Sequence, residues 1–442
     1  MTIVVRGGKT MSGTCEIKTA KNSVLPILAC SVLCDGEMRL HNCPDIADIH
    51  SMLEILRGMG AKAEFKGGTV AVDCRTVNCT TVAGEATAAI RSSIFLLGPI
   101  LSRFRRAAVS LPGGCAIGKR PIDLHLDGLR ALGVMVDEDD SIVYCDGAGL
   151  RAGEYRLRFA SVGATENLIM AVALTSGRTV ISNAAREPEV VDLADFINAM
   201  GGRVSGAGTD KVIVEGVERL SGGDYTPIPD RIVAGTYMIA CAMCGGKIKL
   251  AGADIGHLRA LERVLYKAGV KVTAKNTPSR FAHFRRQTPM LFAAASSSKF
   301  LEGNYIEVES SKRLCRIGRI ETGIYPEFAT DLQAQITAML AVSAGESVVV
   351  ENLFETRFKH IDELRKMGAD ISVDGKQAVI RGVPRLSGAQ VMCHDLRGGA
   401  ALVLAGLCAD GVTTVNDARH IMRGYEDIVG DLRKLGCDCY IE

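Results

Sequence analysis

The feature that most constrains this chain of 442 residues is a short phrase that occurs six times. Each copy reads as an amphipathic helix that ends at a glycine and is followed by a β-type segment. The six glycines are Gly60, Gly133, Gly201, Gly269, Gly368 and Gly436. They are separated by 73, 68, 68, 99 and 68 residues. Three equal intervals indicate a repeated structural unit, and glycine suits the left-handed residue that ends a helix.

A second marker falls inside most copies of the unit. An apolar helix ends near a further glycine and is followed by a strand, and these glycines are Gly36, Gly177, Gly246, Gly345 and Gly411. The unit therefore predicts helix, strand, helix, strand, usually with one more strand before the next copy. Residues 24–34, 168–175 and 336–343 are apolar nearly all round, so the first helices should be buried. The second helices, such as 360–367, carry charge on one face and should lie outside.

Such a unit cannot bury both faces of its sheet and helices alone, so the copies must pack together. Six copies fall into two groups of three, and the break lies at residues 225–230, where two prolines interrupt the pattern. We therefore predict an α/β fold of two lobes, each built from three helix-strand-helix-strand units, with buried helices at its centre and sheets around them.

The two longer intervals locate insertions, of 5 residues before Gly133 and 31 before Gly368. The segment from Lys275 to Glu302 lacks periodicity and contains three arginines and a low-complexity run at 293–298. It is either a lid or partner-binding loop, or a surface insertion. The missing pattern favours the surface insertion.

Composition excludes several classes of protein. Apolar residues make up 47%, as in folded proteins, and 52 Lys and Arg balance 50 Asp and Glu, which gives no reason to expect a nucleic-acid or membrane-surface partner. No signal-peptide pattern opens the chain, and no apolar run reaches the ~18 residues that span a bilayer. With 15 Cys, these features predict a cytoplasmic protein with free thiols.

The starts of the predicted buried helices carry an unusual set of polar residues. They are Lys21-Asn22, Arg91-Ser92-Ser93, Thr165-Glu166-Asn167, Arg231, Thr330-Asp331 and Asp395-Leu396-Arg397. Helix N-termini attract anions, so basic residues there are unfavourable unless an anion is present. If the lobes face each other across a cleft, six such ends could converge on a site for phosphates and carboxylates. The alternative is a set of exposed caps and surface charges; Asp331 in particular is either a first-turn cap or a general base.

The most specific local feature is the glycine-rich segment 111–121, which lies in the unit lengthened by 5 residues. Three glycines bracket Cys115, and Lys119 and Arg120 follow closely. Glycines permit a mobile loop, and neighbouring cations lower the pKa of a thiol and make it reactive. Cys241 and Cys244 form a C-x-x-C pair inside an apolar helix, which indicates core packing rather than metal binding. With no nucleotide-binding or metal-binding motif in the sequence, we expect no cofactor and no metal.

Several phrases of the chain are similar to those of a known family. They are Ala20-Lys21-Asn22, Leu111-Pro112-Gly113-Gly114-Cys115, Arg120-Pro121, Ser161 to Asn167, Ala185-Arg186-Glu187-Pro188-Glu189, Thr330 to Gln335, Phe354-Glu355-Thr356-Arg357-Phe358, Asp395-Leu396-Arg397 and Arg423-Gly424-Tyr425-Glu426. With them the chain resembles the UDP-N-acetylglucosamine 1-carboxyvinyltransferases, the enolpyruvyl transferases of the first committed step of peptidoglycan synthesis. The resemblance covers nearly the whole chain, with residues 275–302 as the gap.

The resemblance implies an inside-out α/β barrel of two lobes with three repeats each. In the family the N-terminal strand crosses to the second lobe. We therefore assign residues 21–230 to one lobe and residues 1–20 plus 231–442 to the other. It also implies a cytoplasmic enzyme with two small-molecule substrates, phosphoenolpyruvate and UDP-N-acetylglucosamine, and no obligate protein partner.

Site residues follow from the resemblance position by position. Cys115 corresponds to the loop cysteine that donates a proton and is the fosfomycin target, and Asp331 to the acid that deprotonates the sugar 3-hydroxyl. Positions that bind phosphoenolpyruvate correspond to Lys21, Asn22, Arg120, Arg397 and Arg423. Positions that contact the UDP-sugar correspond to Asn22, Arg91, Arg120, Pro121, Ile122, Asp123, Leu124, Ser161, Val162, Gly163, Asp331 and Leu353. The implied reaction is addition of the hydroxyl to the enol carbon and elimination of phosphate.

Two departures from the family pattern bear on the nucleotide site. Phe159-Ala160 stands where some members carry a lysine, and Met422 stands where an acidic residue is common. Two alternatives stay open. One is the sister enolpyruvyl transferase that acts on shikimate phosphate, which lacks the Gly-Gly-Cys loop. The other is a non-catalytic paralogue that binds the UDP-sugar, although Cys115, Asp331 and Arg397 are all present.

Overall fold

The computed structural model describes residues 1–82, 87, 90–110, 122–139, 141–275, 303–311 and 313–442. Within them the chain forms twelve α-helices and 24 β-strands. The helices are α1 (Lys21–Cys30), α2 (Ala47–Gly58), α3 (Leu97–Phe104), α4 (Asp123–Ala131), α5 (Val162–Val172), α6 (Pro188–Ala199), α7 (Arg231–Cys244), α8 (Arg259–Lys267), α9 (Gln333–Leu340), α10 (His360–Lys366), α11 (Leu396–Cys408) and α12 (Ile428–Lys434).

The strands are short and belong to six sheets. They are β1 (Ile3–Arg6), β2 (Met11–Glu16), β3 (Glu37–Leu40), β4 (Lys62–Lys66), β5 (Thr69–Asp73), β6 (Thr81–Val82), β7 (Arg106–Ser110), β8 (Met135–Glu138), β9 (Ile142–Asp146), β10 (Glu154–Arg156), β11 (Arg178–Ser182), β12 (Val204–Ser205), β13 (Lys211–Glu215), β14 (Gly223–Tyr225), β15 (Gly246–Ala251), β16 (Lys271–Lys275), β17 (Tyr305–Ser310), β18 (Arg319–Glu321), β19 (Glu346–Val350), β20 (Asp370–Asp374), β21 (Gln377–Arg381), β22 (Gln390–Met392), β23 (Val412–Asn416) and β24 (Asp438–Ile441).

All six sheets have four strands and one topology. The orders are β14-β3-β5-β4, β6-β7-β9-β8, β10-β11-β13-β12, β2-β15-β17-β16, β18-β19-β21-β20 and β22-β23-β1-β24. In each sheet the first strand runs parallel to the second, and the other two pairs are antiparallel. Each of the first five repeats therefore supplies one helix–strand–helix–strand–strand run and contributes a last strand to a neighbouring sheet, whereas the sixth ends at β24. This confirms the sixfold repeat.

The contacts between residues divide the chain into two compact units. One consists of residues 1–18 together with 229–442, and we call it the composite unit. The other consists of the described residues between 19 and 228, and we call it the continuous unit. The expected lobe boundaries, after residue 20 and after residue 230, lie two residues further along the chain than the boundaries between these units. The assignment of the lobes as folding domains stays a prediction.

The N-terminal strands complete sheets of the composite unit. β1 lies between β23 and β24, with Ile3 opposite both Val415 and Ile441. β2 pairs in parallel with β15, with Met11 opposite Gly246. These two strands occupy the positions that a continuing sixth repeat would fill, so the three repeats close on themselves.

Helices α1, α3, α5, α7, α9 and α11 are the inner helices. All eight residues of α9 are buried, as are the eight residues Ser23 to Cys30 of α1. The second helix of each repeat has one exposed face; in α10, for example, Asp362 and Lys366 are exposed while Leu364 is buried. Sheet strands such as β5 and β9 alternate between buried and more exposed residues. Each unit is thus an inside-out α/β barrel, with apolar helices inside and sheets around them, as predicted.

The six marker glycines all follow a helix in the left-handed region, with φ between 84° and 102°. A side chain would be strained there, which explains why the sequence repeats glycine at these points.

The 31-residue insertion connects two adjacent strands. Its residues 276–302 lie outside the described part of the chain, but the flanking strands β16 and β17 are antiparallel partners with Lys275 opposite Tyr305. The two ends of the insertion therefore lie side by side. Among the described residues, no helix is long and apolar enough to cross a membrane.

Candidate active site

In the composite unit, Asp331 lies at the entrance to an inner helix and contacts two arginines. It is the second residue of a short 3-10 turn, Thr330–Leu332, that leads into α9. Its Oδ1 accepts a hydrogen bond from Nη2 of Arg357 at 2.8 Å and another from Nε of Arg397 at 3.4 Å. Both arginines are more than nine-tenths buried, whereas the Asp331 side chain is 30% exposed. The contacts hold the carboxylate in place and leave part of it open to solvent.

The buried carboxylate of Glu351 organises the loop beside Asp331. Its Oε2 accepts a hydrogen bond from the Thr330 hydroxyl at 2.8 Å, and its Oε1 accepts from the backbone N–H of Leu353 at 2.8 Å and of Phe354 at 3.1 Å. Glu351 lies just after β19 and is only 1% exposed. It therefore ties the predicted UDP-sugar residue Leu353 to the turn that carries Asp331.

Arg397 lies in the first turn of α11 and is almost fully enclosed. The side chain of Asp395 caps this helix by accepting hydrogen bonds from the N–H groups of Arg397 and Gly398. Burial disfavours the charged guanidinium, but the carboxylate of Asp331 and further nearby groups outweigh it and raise the pKa of Arg397. Its Nη1 is buried and has no hydrogen-bond partner among the described residues.

Two further basic residues that the sequence singled out, Arg231 and Arg423, belong to the composite unit. Arg231 begins α7 directly after Asp230, whose side chain caps the helix, and its guanidinium carbon lies 5.7 Å from the centre of the Tyr325 ring. Arg423 ends the 3-10 turn Ala418–Arg423 and stands two residues before Tyr425. The ring of Tyr425 lies 5.9 Å from the guanidinium carbon of Arg397. Arg231 therefore lies at the start of an inner helix. Arg423 lies two residues before a tyrosine whose ring is close to Arg397.

In the continuous unit, Lys21 and Asn22 are the first two residues of α1. Nζ of Lys21 lies 2.5 Å from Oδ2 of Asp48, a residue of α2, and both side chains are largely buried. The charge of Lys21 is therefore compensated within the protein at this helix start.

The start of α5 brings several predicted UDP-sugar residues together. Ser161 caps the helix by accepting a hydrogen bond from the N–H of Ala164, and Val162 and Gly163 form the first turn. A Cβ added at Gly163 would lie 3.2 Å from the ring of His125, so a side chain there would require the imidazole to shift by a few tenths of an ångström. Free N–H groups of such a first turn are suited to bind an anion.

His125, in α4, is held as a neutral imidazole beside Gly163. The Asn167 side chain donates to the Ile94 carbonyl at 2.8 Å and accepts from the Gly98 N–H at 2.6 Å, which fixes its amide orientation. The same amide nitrogen lies 2.9 Å from Nδ1 of His125, so Nδ1 accepts and Nε2 carries the proton. Burial and the nearby charge of Arg91 lower the pKa of His125 to about 4.

The remaining predicted UDP-sugar residues of this unit lie at the start of α4. Ile122 precedes the helix, and Asp123 and Leu124 are its first two residues. Asp123 forms an ion pair with Arg158 at 2.8 Å. Arg91 begins the 3-10 turn Arg91–Leu96, which contacts both α1 and α5. The structure thus groups Arg91, the start of α4 and the start of α5.

Three predicted site residues, Cys115, Arg120 and Pro121, lie outside the described residues, together with the rest of the glycine-rich segment 111–121. Their assignment stays a prediction from the sequence. In the described part of the chain, no group of three or more His, Cys, Asp or Glu side chains is arranged to hold a metal ion.

Comparison with known proteins identifies the family. The family model described as EPSP synthase (3-phosphoshikimate 1-carboxyvinyltransferase) matches residues 5–432. UDP-N-acetylglucosamine 1-carboxyvinyltransferase 2 of Caldanaerobacter subterraneus subsp. tengcongensis is 44% identical over 98% of both chains. The chain belongs to this enolpyruvyl transferase family. The UDP-N-acetylglucosamine 1-carboxyvinyltransferase of Coxiella burnetii is 42% identical over 99% of this chain and 95% of its own.

A solved enolpyruvyl transferase supports the fold. The crystal structure of NikO from Streptomyces tendae superposes with a TM-score of 0.83 and covers 99% of this chain and 98% of its own. At 24% identity, it bears on the architecture alone. The inside-out α/β barrel is therefore an architecture that enolpyruvyl transferases share.

The structure changes the argument from helix starts in two ways. Thr165, Glu166 and Asn167 do not begin a helix: α5 starts at Val162 because Ser161 caps it, so these three are buried a turn further on. The basic residues also have partners within the protein. Lys21 pairs with Asp48, while Arg397 contacts Asp331 and lies beside the capping Asp395. An anion is therefore not needed to explain their presence, although it remains compatible with it.

Two residues that the structure places beside predicted site residues, Arg357 and His125, were not predicted themselves. Arg357 lies in a phrase that carried the family resemblance, and its spacing of 26 residues from Asp331 gave no sign that it would contact that carboxylate. His125 directly follows the predicted segment that ends at Leu124. This position in the sequence was the signal that could have identified it as a candidate site residue. Long-range contacts of this kind cannot be deduced from local pattern.

Proposed function

We propose that this enzyme transfers the enolpyruvyl group of phosphoenolpyruvate to the 3-hydroxyl of UDP-N-acetylglucosamine and releases phosphate. The relatives at 42% and 44% identity carry this activity in their names and match almost the full chain. The observation that supports it best is the carboxylate of Asp331, which is held by Arg357 and Arg397 and is still partly exposed. A base and a cation side by side suit a reaction that removes a proton and binds an anion.

In the proposed mechanism, Arg397, Arg423, Lys21, Asn22 and Arg120 bind the carboxylate and phosphate of phosphoenolpyruvate. Asp331 accepts the proton of the sugar 3-hydroxyl while the hydroxyl oxygen bonds to the enol carbon. Cys115 gives a proton to the methylene carbon, which forms a tetrahedral adduct. The methyl group then returns a proton to the thiolate of Cys115 as phosphate departs, which restores the double bond. Positioned proton transfer of this kind typically contributes ~10²–10⁴-fold to the rate.

The UDP-sugar is proposed to bind at the first turns of the continuous unit. Val162 and Gly163 offer backbone N–H groups at the start of α5, and Arg91 adds positive charge. The proposed set is completed by Asn22, Arg120, Pro121, Ile122, Asp123, Leu124, Ser161, Asp331 and Leu353. His125 would present its Nε2–H, because Asn167 occupies the other ring nitrogen.

The proposed activity implies a place in peptidoglycan synthesis, in the cytoplasm, with two small-molecule substrates. We also propose that residues 21–230 and 1–20 plus 231–442 act as the two lobes that carry these residues. The acceptor is the decisive point, because the family model itself is described by a 3-phosphoshikimate activity.

The acceptor is tested directly by measuring phosphate release from phosphoenolpyruvate with each candidate. UDP-N-acetylglucosamine should support turnover and 3-phosphoshikimate should not. Turnover with 3-phosphoshikimate but not with UDP-N-acetylglucosamine would show that 3-phosphoshikimate is the acceptor. Binding of UDP-N-acetylglucosamine without turnover under any condition would favour a non-catalytic role.

A further inference from the structure

Three buried polar side chains of the composite unit are linked by hydrogen bonds, and one of them lies near Arg397. They are Thr236 of α7, Gln335 of α9 and Tyr425, each at most 1% exposed, and we call them the hydroxyl cluster. The hydroxyl oxygens of Thr236 and Tyr425 are 2.8 Å apart. Nε2 of Gln335 lies 3.2 Å from the first and 3.4 Å from the second. The cluster therefore joins two inner helices to the segment that follows Arg423.

The hydrogen bonds determine where each proton of the cluster points. The Thr236 hydroxyl donates to the Ile232 carbonyl at 2.8 Å, so its single proton is already used. Towards Tyr425 its oxygen can only accept, and Tyr425 must donate. The amide of Gln335 donates as well. The Tyr425 oxygen is left with an accepting lone pair and no proton to spare, which suits a neighbouring cation.

Arg397 is that cation. Its guanidinium carbon lies 5.9 Å from the Tyr425 ring centre, within the range of cation–π attraction. The Tyr425 side chain is among the nearby groups that favour the charged form of Arg397 and raise its pKa. Nε of Arg397 also contacts Asp331 at 3.4 Å. The guanidinium therefore has two partners within the protein, Asp331 and the Tyr425 ring.

We propose that Tyr425, oriented by Thr236 and Gln335, is a positioning residue that aims the remaining N–H groups of Arg397 at the anionic substrate. The proposal rests on the proposed function, in which Arg397 binds phosphoenolpyruvate. Nη1 of Arg397 is buried without a hydrogen-bond partner among the described residues, so a donor is left for such an anion. Tyr425 itself need not touch the substrate.

The proposal predicts a selective loss of affinity. In Tyr425→Phe the ring stays and only the hydroxyl is lost, so the fold should persist while the guanidinium becomes less well oriented. We expect the KM for phosphoenolpyruvate to rise about tenfold, the effect of one hydrogen bond to a charged group. The KM for UDP-N-acetylglucosamine should stay within about twofold. Thr236→Val should reproduce this split, and Thr236→Ser, which keeps the hydroxyl, should restore wild-type values.

Tyr237→Phe is the matched control. Tyr237 is also fully buried in α7, and its hydroxyl donates to Oδ2 of Asp431 at 2.9 Å rather than to the cluster. The substitution Tyr237→Phe removes a buried tyrosine hydroxyl from the same unit and should leave the KM for phosphoenolpyruvate unchanged. Thermal unfolding of all variants measures the structural loss separately from the kinetics.

Arg397→Lys separates this inference from the proposed function. If Arg397→Lys leaves the KM for phosphoenolpyruvate unchanged, the role of Arg397 in the proposed function is wrong. If Arg397→Lys raises it but Tyr425→Phe and Thr236→Val both behave like Tyr237→Phe, the positioning role of Tyr425 is overturned. Should Tyr425→Phe fail to fold, the comparison of Thr236→Val with Thr236→Ser decides the question in the same way.

Discussion

At the scale of single residues, burial divides the cysteines into inert and reactive groups. Burial raises the pKa of nine described thiols: Cys15, Cys30, Cys34, Cys74, Cys145, Cys241, Cys393, Cys437 and Cys439. Thiols in such surroundings are poor nucleophiles. Cys315 is exposed and is the natural competitor for an alkylating reagent.

We predict that fosfomycin modifies Cys115 before any of the other 14 cysteines, because Lys119 and Arg120 follow it closely in a glycine-rich segment. Mass spectrometry of the digested protein locates the adduct. Cys115→Asp should keep a proton donor, retain activity and resist the drug. Cys315→Ser, the exposed control, should leave modification unchanged, and an adduct located mainly at Cys315 would show that the reactive thiol was wrongly assigned.

His360 should make the protein sensitive to acid. Burial lowers its pKa from 6.5 to about 4, and neither ring nitrogen has a hydrogen-bond partner among the described residues. Between these values the unfolded chain binds the proton and the folded chain does not, so stability is lost as the pH falls from about 6.5 to about 4.

Unfolding measured between pH 7 and pH 4 checks this expectation. In His360→Leu the decline over that window should become shallower, whatever the effect of the substitution at pH 7. Replacing the half-exposed His50 by Leu is the control for the loss of a histidine, and its slope is the reference for His360→Leu. An unchanged slope in His360→Leu would mean that His360 does not titrate as described.

At the scale of secondary-structure elements, the local signals in the chain were strong. The marker glycines and the charged outer faces proved to be where the sequence placed them, and so did the apolar helices apart from the earlier start of α5, because each depends on residues near in the chain. The starts of α7 and α11 were also predicted, at Arg231 and close to Arg397. The contacts of Asp331 with Arg357 and of Arg397 with Tyr425 depend on the fold of the whole unit, so no local pattern could reveal them.

The insertion between β16 and β17 should be dispensable. Lys275 and Tyr305 are opposite each other in the ladder, so a short turn can join the two strands without disturbing their register. Replacing residues 276–302 by a short Gly/Ser turn should leave phosphate release within a few-fold of the wild type. A loss of a hundred-fold or more with an unchanged unfolding temperature would instead identify the segment as a functional lid.

At the scale of the whole molecule, the chain ends lie together in the composite unit. Thr2 and Glu442 exchange two backbone hydrogen bonds, at 3.0 and 2.9 Å, at the end of the β1–β24 pair. Since β1 is a central strand of its sheet and β2 an edge strand of another, residues 1–18 are structural parts of this unit. The spacing of the repeats alone does not predict that the N-terminal strands belong to this unit. That becomes clear from the strand orders, which are the same in all six sheets.

This arrangement predicts that the chain can be circularly permuted. A chain that joins residue 442 to residue 1 by a short linker and opens within 276–302 should fold and keep its activity, because every strand retains its partners. Deletion of residues 1–18 should abolish folding of the composite unit, since two sheets lose a strand. Circular dichroism and phosphate release compare the two chains, and an active, folded deletion variant would contradict the proposed closure.

The central claim, that Asp331 is the base of an enolpyruvyl transfer to UDP-N-acetylglucosamine, is tested most directly with Asp331→Asn. Phosphate release and formation of the enolpyruvyl sugar are followed with both substrates, and binding of the UDP-sugar is measured by calorimetry. We predict that turnover falls by ~10²–10⁴-fold while the UDP-sugar still binds, because the groups at the starts of α4 and α5 are unchanged. Wild-type turnover in Asp331→Asn would contradict the account.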